Sequence, residues 1–353
     1  MLNVARLGAR LLALAAFAPL LTLNLNASPI FSAAQVFAMG SAPLGNSPDS
    51  IFYGGGSVWV AFQNGADSTG AFGASTVVRY SPTAVVQQTW TIAGNVDGLR
   101  LDPTGMTWAL QNNDGNSTLT LLKAGSSTMS LLTYGNSYTN VANRGFDDAV
   151  FTNGNTFLSE TNPASNTDAI VLKLTSGVSS PLQVSGILNS QFTGVNLATG
   201  KTATDTITDS DSLILRPNGD LVLTGEADRQ LVFIHNAGAA SQSVSFLNLF
   251  GVDGKVDDSA FNGKATQGYF LFTDTKANTV YKINVSGLSP NMTFVDIGHD
   301  FGWVNMNTGL VTPIFVGQSP HGLVFVPAAV PEPGTLMLVG GGILALARRF
   351  CRG

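Results

Sequence analysis

Five aspartates recur along the chain, each ahead of a small residue and a short apolar run: Asp49, Asp97, Asp148, Asp211 and Asp258, with His321 in the sixth place. Their spacings are 48, 51, 63, 47 and 63 residues. Brought together, such carboxylates would form a ring of oxygen ligands suited to a hard cation, calcium above all. An aspartate in this setting has a second use, bonding backbone N–H groups where a loop enters a strand. Asp followed by Ser, Gly or Ala five times over fits that use, so capping is the expectation and no cofactor is required. On that reading Asp97→Ala and Asp211→Ala would each cost about 1 kcal/mol, and calcium would change stability little.

Other candidate chemistry is sparse. The chain has no Gly-x-Ser-x-Gly elbow, no Walker loop and no Gly-x-Gly-x-x-Gly after a strand, so no catalytic residue is assigned. His235, His299 and His321 are scattered and make no zinc-binding pair. Two further acidic loops, Asp205/Asp209/Asp211 and Asp253/Asp257/Asp258, lack the terminal glutamate of a calcium loop. Asn112-Asn113-Asp114-Gly115-Asn116 reads as a hairpin turn. Of the four tryptophans, Trp59 and Trp108 sit in a repeated strand slot and read as packing. Trp90 and Trp303 fall outside that slot and are the candidates for stacking on a carbohydrate.

The elements that must carry these residues are strands. Runs such as Ser57–Phe62, Thr76–Tyr80, Leu221–Thr224 and Gln230–Ile234 alternate or are rich in β-branched residues, and Asn-Gly, Asp-Gly and Pro-x-Gly turns separate them. No amphipathic helix interrupts them. The two 63-residue units share an insert, Phe192–Gly200 matching Phe301–Gly309. Four-strand units repeated at about 40–50 residues are the mark of a β-propeller. The expected fold is all-β, a single propeller over residues 35–329 with five to six blades, seven if some are degenerate. A strand near Gln35–Met39 should close the ring against strands near the C-terminus, because an unpaired edge is a liability. Asp97–Gly105 and Arg216–Leu221 resemble the NHL-type and gluconolactonase-like propellers. That resemblance implies a central divalent metal, and for this chain a metal-dependent lactonase-like hydrolase as the alternative activity. No N-terminal glutamate matches the metal ligand of the enzymatic members, so the expectation remains a non-enzyme.

Both ends carry address signals. Arg6 and Arg10 precede an apolar stretch, Leu11–Leu25, and small residues follow, the pattern of a secretory signal peptide over residues 1–34 with cleavage between about 27 and 40. At the other end Val330-Pro331-Glu332-Pro333 leads into an uncharged apolar run over 334–347 and then Arg348-Arg349. The two prolines forbid helix at the turn. A helix over 334–347 would span about 21 Å of a roughly 30 Å hydrocarbon layer, with its arginines held on the cytoplasmic side. Residues 330–353 resemble the PEP-CTERM sorting signal of Gram-negative bacteria. The resemblance implies export, a transient inner-membrane intermediate, processing by an exosortase near Pro-Glu-Pro, and delivery to the cell surface or extracellular matrix. Exopolysaccharide or other surface proteins are the partners that follow.

Composition agrees with that address. Charged residues are only 11% of the chain and the net charge is −5, which leaves no basic field for nucleic acid. The one cysteine, Cys351, lies beyond the apolar tail, so the domain has no disulfide and no thiolate ligand. Mean hydropathy of +0.22 is inflated by the two hydrophobic ends. The expected function is an exported binding or structural propeller.

Overall fold

The computed structural model describes residues 28–135 and 143–328, and these form an all-β ring of six blades. The hydrophobic stretch of the leader and the Pro-Glu-Pro tail lie outside the described residues. Among the described residues no helix is long and apolar enough to cross a membrane.

Each blade is a sheet, antiparallel but for one pair in blade IV, whose innermost strand faces the axis. The six inner strands are Pro48–Gly54, Val96–Leu101, Phe146–Thr152, Ser210–Leu215, Val256–Phe261 and Pro320–Pro327, in blades I to VI. Blades I, II and III are simple four-stranded meanders running outward from the axis. Short turns join their strands. Between the first two strands of blade I, Gly55 and Gly56 take φ of 58° and 70°, values a β-branched side chain would resist.

Two departures explain the two long spacings. Before blade IV the chain forms an additional hairpin, Gln191–Asn196 with Lys201–Thr206, which joins the outer side of that blade. Its first strand runs parallel to Ser243–Asn248, so blade IV has six strands. Blades V and VI are interleaved. After the inner strand of blade V the chain leaves to build Gln267–Asp274 and Thr279–Ser286 of blade VI. It then returns for Thr293–Ile297, Asp300–Val304 and Val311–Val316 of blade V, and only afterwards supplies the inner strand of blade VI. The matched inserts therefore share a local form and differ in place. Both are a strand and an Asn-headed turn, Asn196 and Asn305 each accepting from their own loop. One is an added hairpin, the other the regular outer half of a blade.

Six hydrophobic clusters fill the spaces between the sheets, one for each neighbouring pair of blades. Between blades I and II, Phe52, Trp59 and Trp90 stack in a row with ring centroids 5.8 and 5.2 Å apart. Trp90 is only 4% exposed and its indole N–H donates to the Ser126 carbonyl, so it is core and cannot present a face to a sugar. Trp303 is half-buried against the cluster between blades V and VI, and it too packs. The carbohydrate role expected of Trp90 is corrected here: it lies where two blades meet, the site of greatest apolar demand.

The ring closes as the pattern of edges required. Gln35–Met39 pairs antiparallel with Thr279–Ser286, and Ile30–Phe31 extends the same edge. Phe37 is buried there, edge-on to Tyr80 of blade I at 5.8 Å. Signal cleavage near the downstream end of the 27–40 window would remove both closing strands. Exported protein is therefore expected to begin upstream of Ile30, as N-terminal sequencing would read. Phe37→Ala should lower stability in urea by about 3 kcal/mol; a loss under about 1 kcal/mol would show that this strand does not hold the ring.

Candidate metal centre at the propeller axis

All six inner strands begin alike. A buried residue comes first, an axial residue second, and a break in register follows: Pro48/Ile51, Val96/Gly98, Phe146/Ala149, Ser210/Leu213 and Val256/Ser259. In blade VI the break lies at Phe272/Thr273, opposite the inner strand's start. Such bulges re-aim a side chain while the strand continues. Counted from the first residue, the axial positions are Asp49, Asp97, Asp147, Asp211, Asp257 and His321. They line one cavity of about 260 Å³ at a mouth of the channel.

Asp49, Asp97, Asp211 and His321 thus converge as the spacing suggested, whereas Asp148 and Asp258 stand one residue further on and do a different job. Asp148 accepts from the N–H of Ala149 at 2.7 Å and of Leu213 at 3.1 Å, and pairs with Arg100, tying blade III to blade IV. Asp258 accepts from Ser259 and Leu323, both at 2.8 Å, tying blade V to blade VI. These two are the backbone-bonding aspartates that the capping expectation described. Asp97 instead bonds side chains, Gln63 at 3.0 Å and Asn113 at 2.8 Å. The remaining blades carry Ser or Gly at the Asp148 position because the inner strands nearly touch. A Cβ on Gly98 would stand 1.8 Å from the Asp147 carbonyl oxygen.

The ring divides into two halves. In blades V, VI and I the charge is paired: His321 Nδ1 lies 2.8 Å from Asp257 and 3.5 Å from Asp49, and the Gly322 N–H donates to Asp257 at 3.1 Å. Asp257 is the main reason that the imidazole is pushed up to about 11, with Asp49 adding to it against the effect of burial. Among the described residues no cation pairs with Asp97, Asp147 or Asp211, the axial carboxylates of blades II, III and IV. One oxygen each from Asp97, Asp147 and Asp211 lies within 4.8 Å of the others. Asn113 Nδ2 bridges Asp97 and Asp147 at 2.8 Å each. Asp147 Oδ2 and Asp211 Oδ2 are buried without a hydrogen-bond partner, and Asp147 is only 4% exposed.

Burial above all, then neighbouring carboxylates, holds Asp49, Asp147 and Asp211 well above the usual carboxylate range, and burial raises Asp97 as well. Buried polar atoms normally find partners, and three adjacent carboxylates, two of them with an orphaned oxygen, form a donor set for a hard cation. A point midway among them stands little farther from each than the roughly 2.3–2.6 Å of a calcium–oxygen bond. The other acidic loop residues stay apart: Asp205 bonds Gln230 at 3.0 Å, Asp209 pairs with Lys255 at 3.0 Å, and Asp253 is exposed. His235 pairs with Asp220 at 3.0 Å, and His299 bonds the Gln318 carbonyl at 2.7 Å, well away from the cavity lining.

Asp147 and Gln63 are not singled out by the sequence reading, which takes Asp257 and Asn113 only as parts of an acidic loop and a hairpin turn. For Asp147 and Asp257 a signal exists. Aligning the units on the apolar residue before the acid, Val96-Asp97, Phe146-Asp147 and Val256-Asp257, gives the register directly.

Residues 329–352 match the PEP-CTERM protein-sorting motif. No curated protein matches the chain. Among solved structures it is similar to the Pseudomonas aeruginosa periplasmic gluconolactonase PpgL, at 15% identity and TM-score 0.46, over 80% of this chain and 89% of that one. It is also similar to virginiamycin B lyase from Staphylococcus aureus, at 11% identity and TM-score 0.48, over 83% of this chain and 92% of that one. A streptogramin B lyase stands at 11% identity and TM-score 0.46, with 83% and 91% covered.

The carboxyls fix a pH dependence. A group whose folded pKa is raised keeps its full stabilisation below its unfolded value and loses it as pH climbs through the folded one. Burial raises Asp148 to about 7 and Glu226 to about 8, and His321 at about 11 acts in the same direction above its ordinary 6.5. Kept in chelator, the protein should melt at a higher temperature at pH 5 than at pH 8. A melting temperature that rises over that interval would contradict the assignment.

Proposed function

We propose that this propeller, which carries a PEP-CTERM protein-sorting motif at residues 329–352, is an exported surface protein that binds a divalent cation at its axis. The motif implies an exosortase as the processing partner, acting around Pro331-Glu332-Pro333, and sorting to the cell surface. The observation that carries the cation is the pair of orphaned, buried oxygens on Asp147 and Asp211 beside Asp97. A hard cation there would be held by carboxylates from three successive blades, with Asn113 orienting two of them. Three protein oxygens leave several of calcium's six to eight positions free towards the mouth. Those positions suit water or the oxygens of an acidic polysaccharide in the matrix. Binding, as opposed to lactone hydrolysis, is favoured by the state of His321. Asp257, 2.8 Å from Nδ1, pushes the imidazole up to about 11 and so disfavours the neutral form that a general base needs.

A cation that binds only the folded ring stabilises it by RT ln(1 + [L]/Kd), about 2.7 kcal/mol at a hundredfold excess over Kd. Calcium should raise the melting temperature by about 5 °C, reversibly with EDTA. Asp147→Asn should abolish the shift. Asp148→Asn should lower the starting stability yet keep the shift, because that carboxylate ties blades together. No calcium shift in the parent protein, with Mg²⁺ and Mn²⁺ equally silent, would sink the cation reading. Turnover of lactones by the calcium-loaded protein would favour the hydrolase instead. Deleting residues 330–353 should keep the protein from its surface destination, as fractionation would read.

A further inference from the structure

We propose that two copies of the chain join edge to edge through the outermost strand of blade IV, Lys201–Thr206, in antiparallel register about a twofold axis at Ala203. The backbone of the added hairpin gives the first argument. The Leu197 N–H donates to the Phe246 carbonyl at 2.9 Å, so Leu197 faces the body of the blade. Strand alternation then turns Phe192, Gly194 and Asn196 towards the outer strand, where they lie opposite Asp205, Ala203 and Lys201. The N–H and C=O groups of Thr202 and Thr204 consequently point away from the blade. Lys201 to Thr204 are exposed throughout, and the strand ends the sheet. Thr206 also faces out, but its N–H is taken by its own Asp205 at 2.9 Å.

The second argument is charge. About Ala203, each Thr202 meets the partner's Thr204, and these are the residues with free backbone groups, so four hydrogen bonds form around the axis. The same register sets each Lys201 directly opposite the partner's Asp205, on one face of the sheet. Lys201 and Asp205 have no ion pair within the chain among the described residues. The strand is thus complementary to itself twice over, in backbone and in charge. The result is one continuous twelve-stranded sheet from two six-stranded blades. Isologous contacts of this kind close at two copies and do not propagate.

Three of the other outer edges are interrupted. Val311–Val316 of blade V contains Pro313, which has no N–H to offer. Val184–Asn189 of blade III pairs through register shifts. In blade II the outward groups of Thr133 are taken by Ser180 and Leu182. The added hairpin presents a regular, proline-free strand, exposed throughout Lys201 to Thr204.

Sedimentation equilibrium of the purified full chain over a concentration series tests this. A monomer–dimer equilibrium is expected. Lys201→Asp and Asp205→Lys should each weaken it about tenfold, since each sets like charges opposite one another twice. The double exchange K201D/D205K should restore it, and the two single variants mixed should form a heterodimer. Circular dichroism of each variant checks that it has folded. A parent protein that stays monomeric throughout, or single substitutions without effect on dimerisation, would overturn the proposal.

Discussion

Everything in this ring depends on how closely six inner strands approach one axis. Side by side they leave no room for a Cβ beside the Asp147 carbonyl, which is why Gly98 is glycine, and the same holds where Gly322 meets the Asp49 carbonyl. The crowding goes with Ser or Gly at that position in four of the six blades, Ser50, Gly98, Ser212 and Gly322. It also forces the preceding side chains into a common space. Five of those six side chains are carboxylates. Like charges gathered in a buried cavity are costly, and the protein meets that cost in two ways. On one side His321 lies against Asp257 and Asp49, whose charge favours its protonated form. On the other no counter-charge is supplied, and the oxygens stay orphaned.

That asymmetry separates holding the ring together from offering it to a ligand. Asp148 and Asp258 spend their oxygens on backbone N–H groups of the next blade. With the six apolar clusters they bind sheet to sheet, in a domain that has no disulfide to do so. One residue earlier in each of those strands, Asp147 and Asp257 face the axis. Adjacent acidic residues in Asp147-Asp148 and Asp257-Asp258 thus divide the two tasks between them, and a bulge in the strand makes the division possible.

The architecture was legible because period-2 patterning, turn residues and a repeating unit are local properties. The inner strands, the closure by Gln35–Met39 and the absence of helix among the described residues all follow from them. The position of the axial ring was half legible. Asp49, Asp97 and Asp211 each stand alone before their small residue, and His321 likewise. Where two aspartates are adjacent, the pair alone does not tell which one faces the axis; the apolar residue before the first gives the register, and the bulge that aims it is set by pairing with the second strand. Trp90 misled for a related reason, since its neighbours Trp59 and Phe52 come from other strands. The interleaving of blades V and VI left no trace beyond a long spacing, because strand order in a sheet is a matter of tertiary contact.

The interleaving bears on how the chain must assemble as it is exported. In blades I to III each sheet is complete once its own stretch of about 40 residues is outside, so those blades can form in order as the chain emerges. The last two cannot. The inner strand of blade V waits for Thr293–Ile297, while Gln267–Ser286 stands without its inner partner until Pro320–Pro327 appears. The earliest described strands, Ile30–Phe31 and Gln35–Met39, wait equally long for Thr279–Ser286. One third of the ring is therefore committed in a single late event that joins the first strands to the last. Until then the chain carries open sheet edges, so translocation and folding are coupled most tightly at the end of the domain nearest the sorting signal.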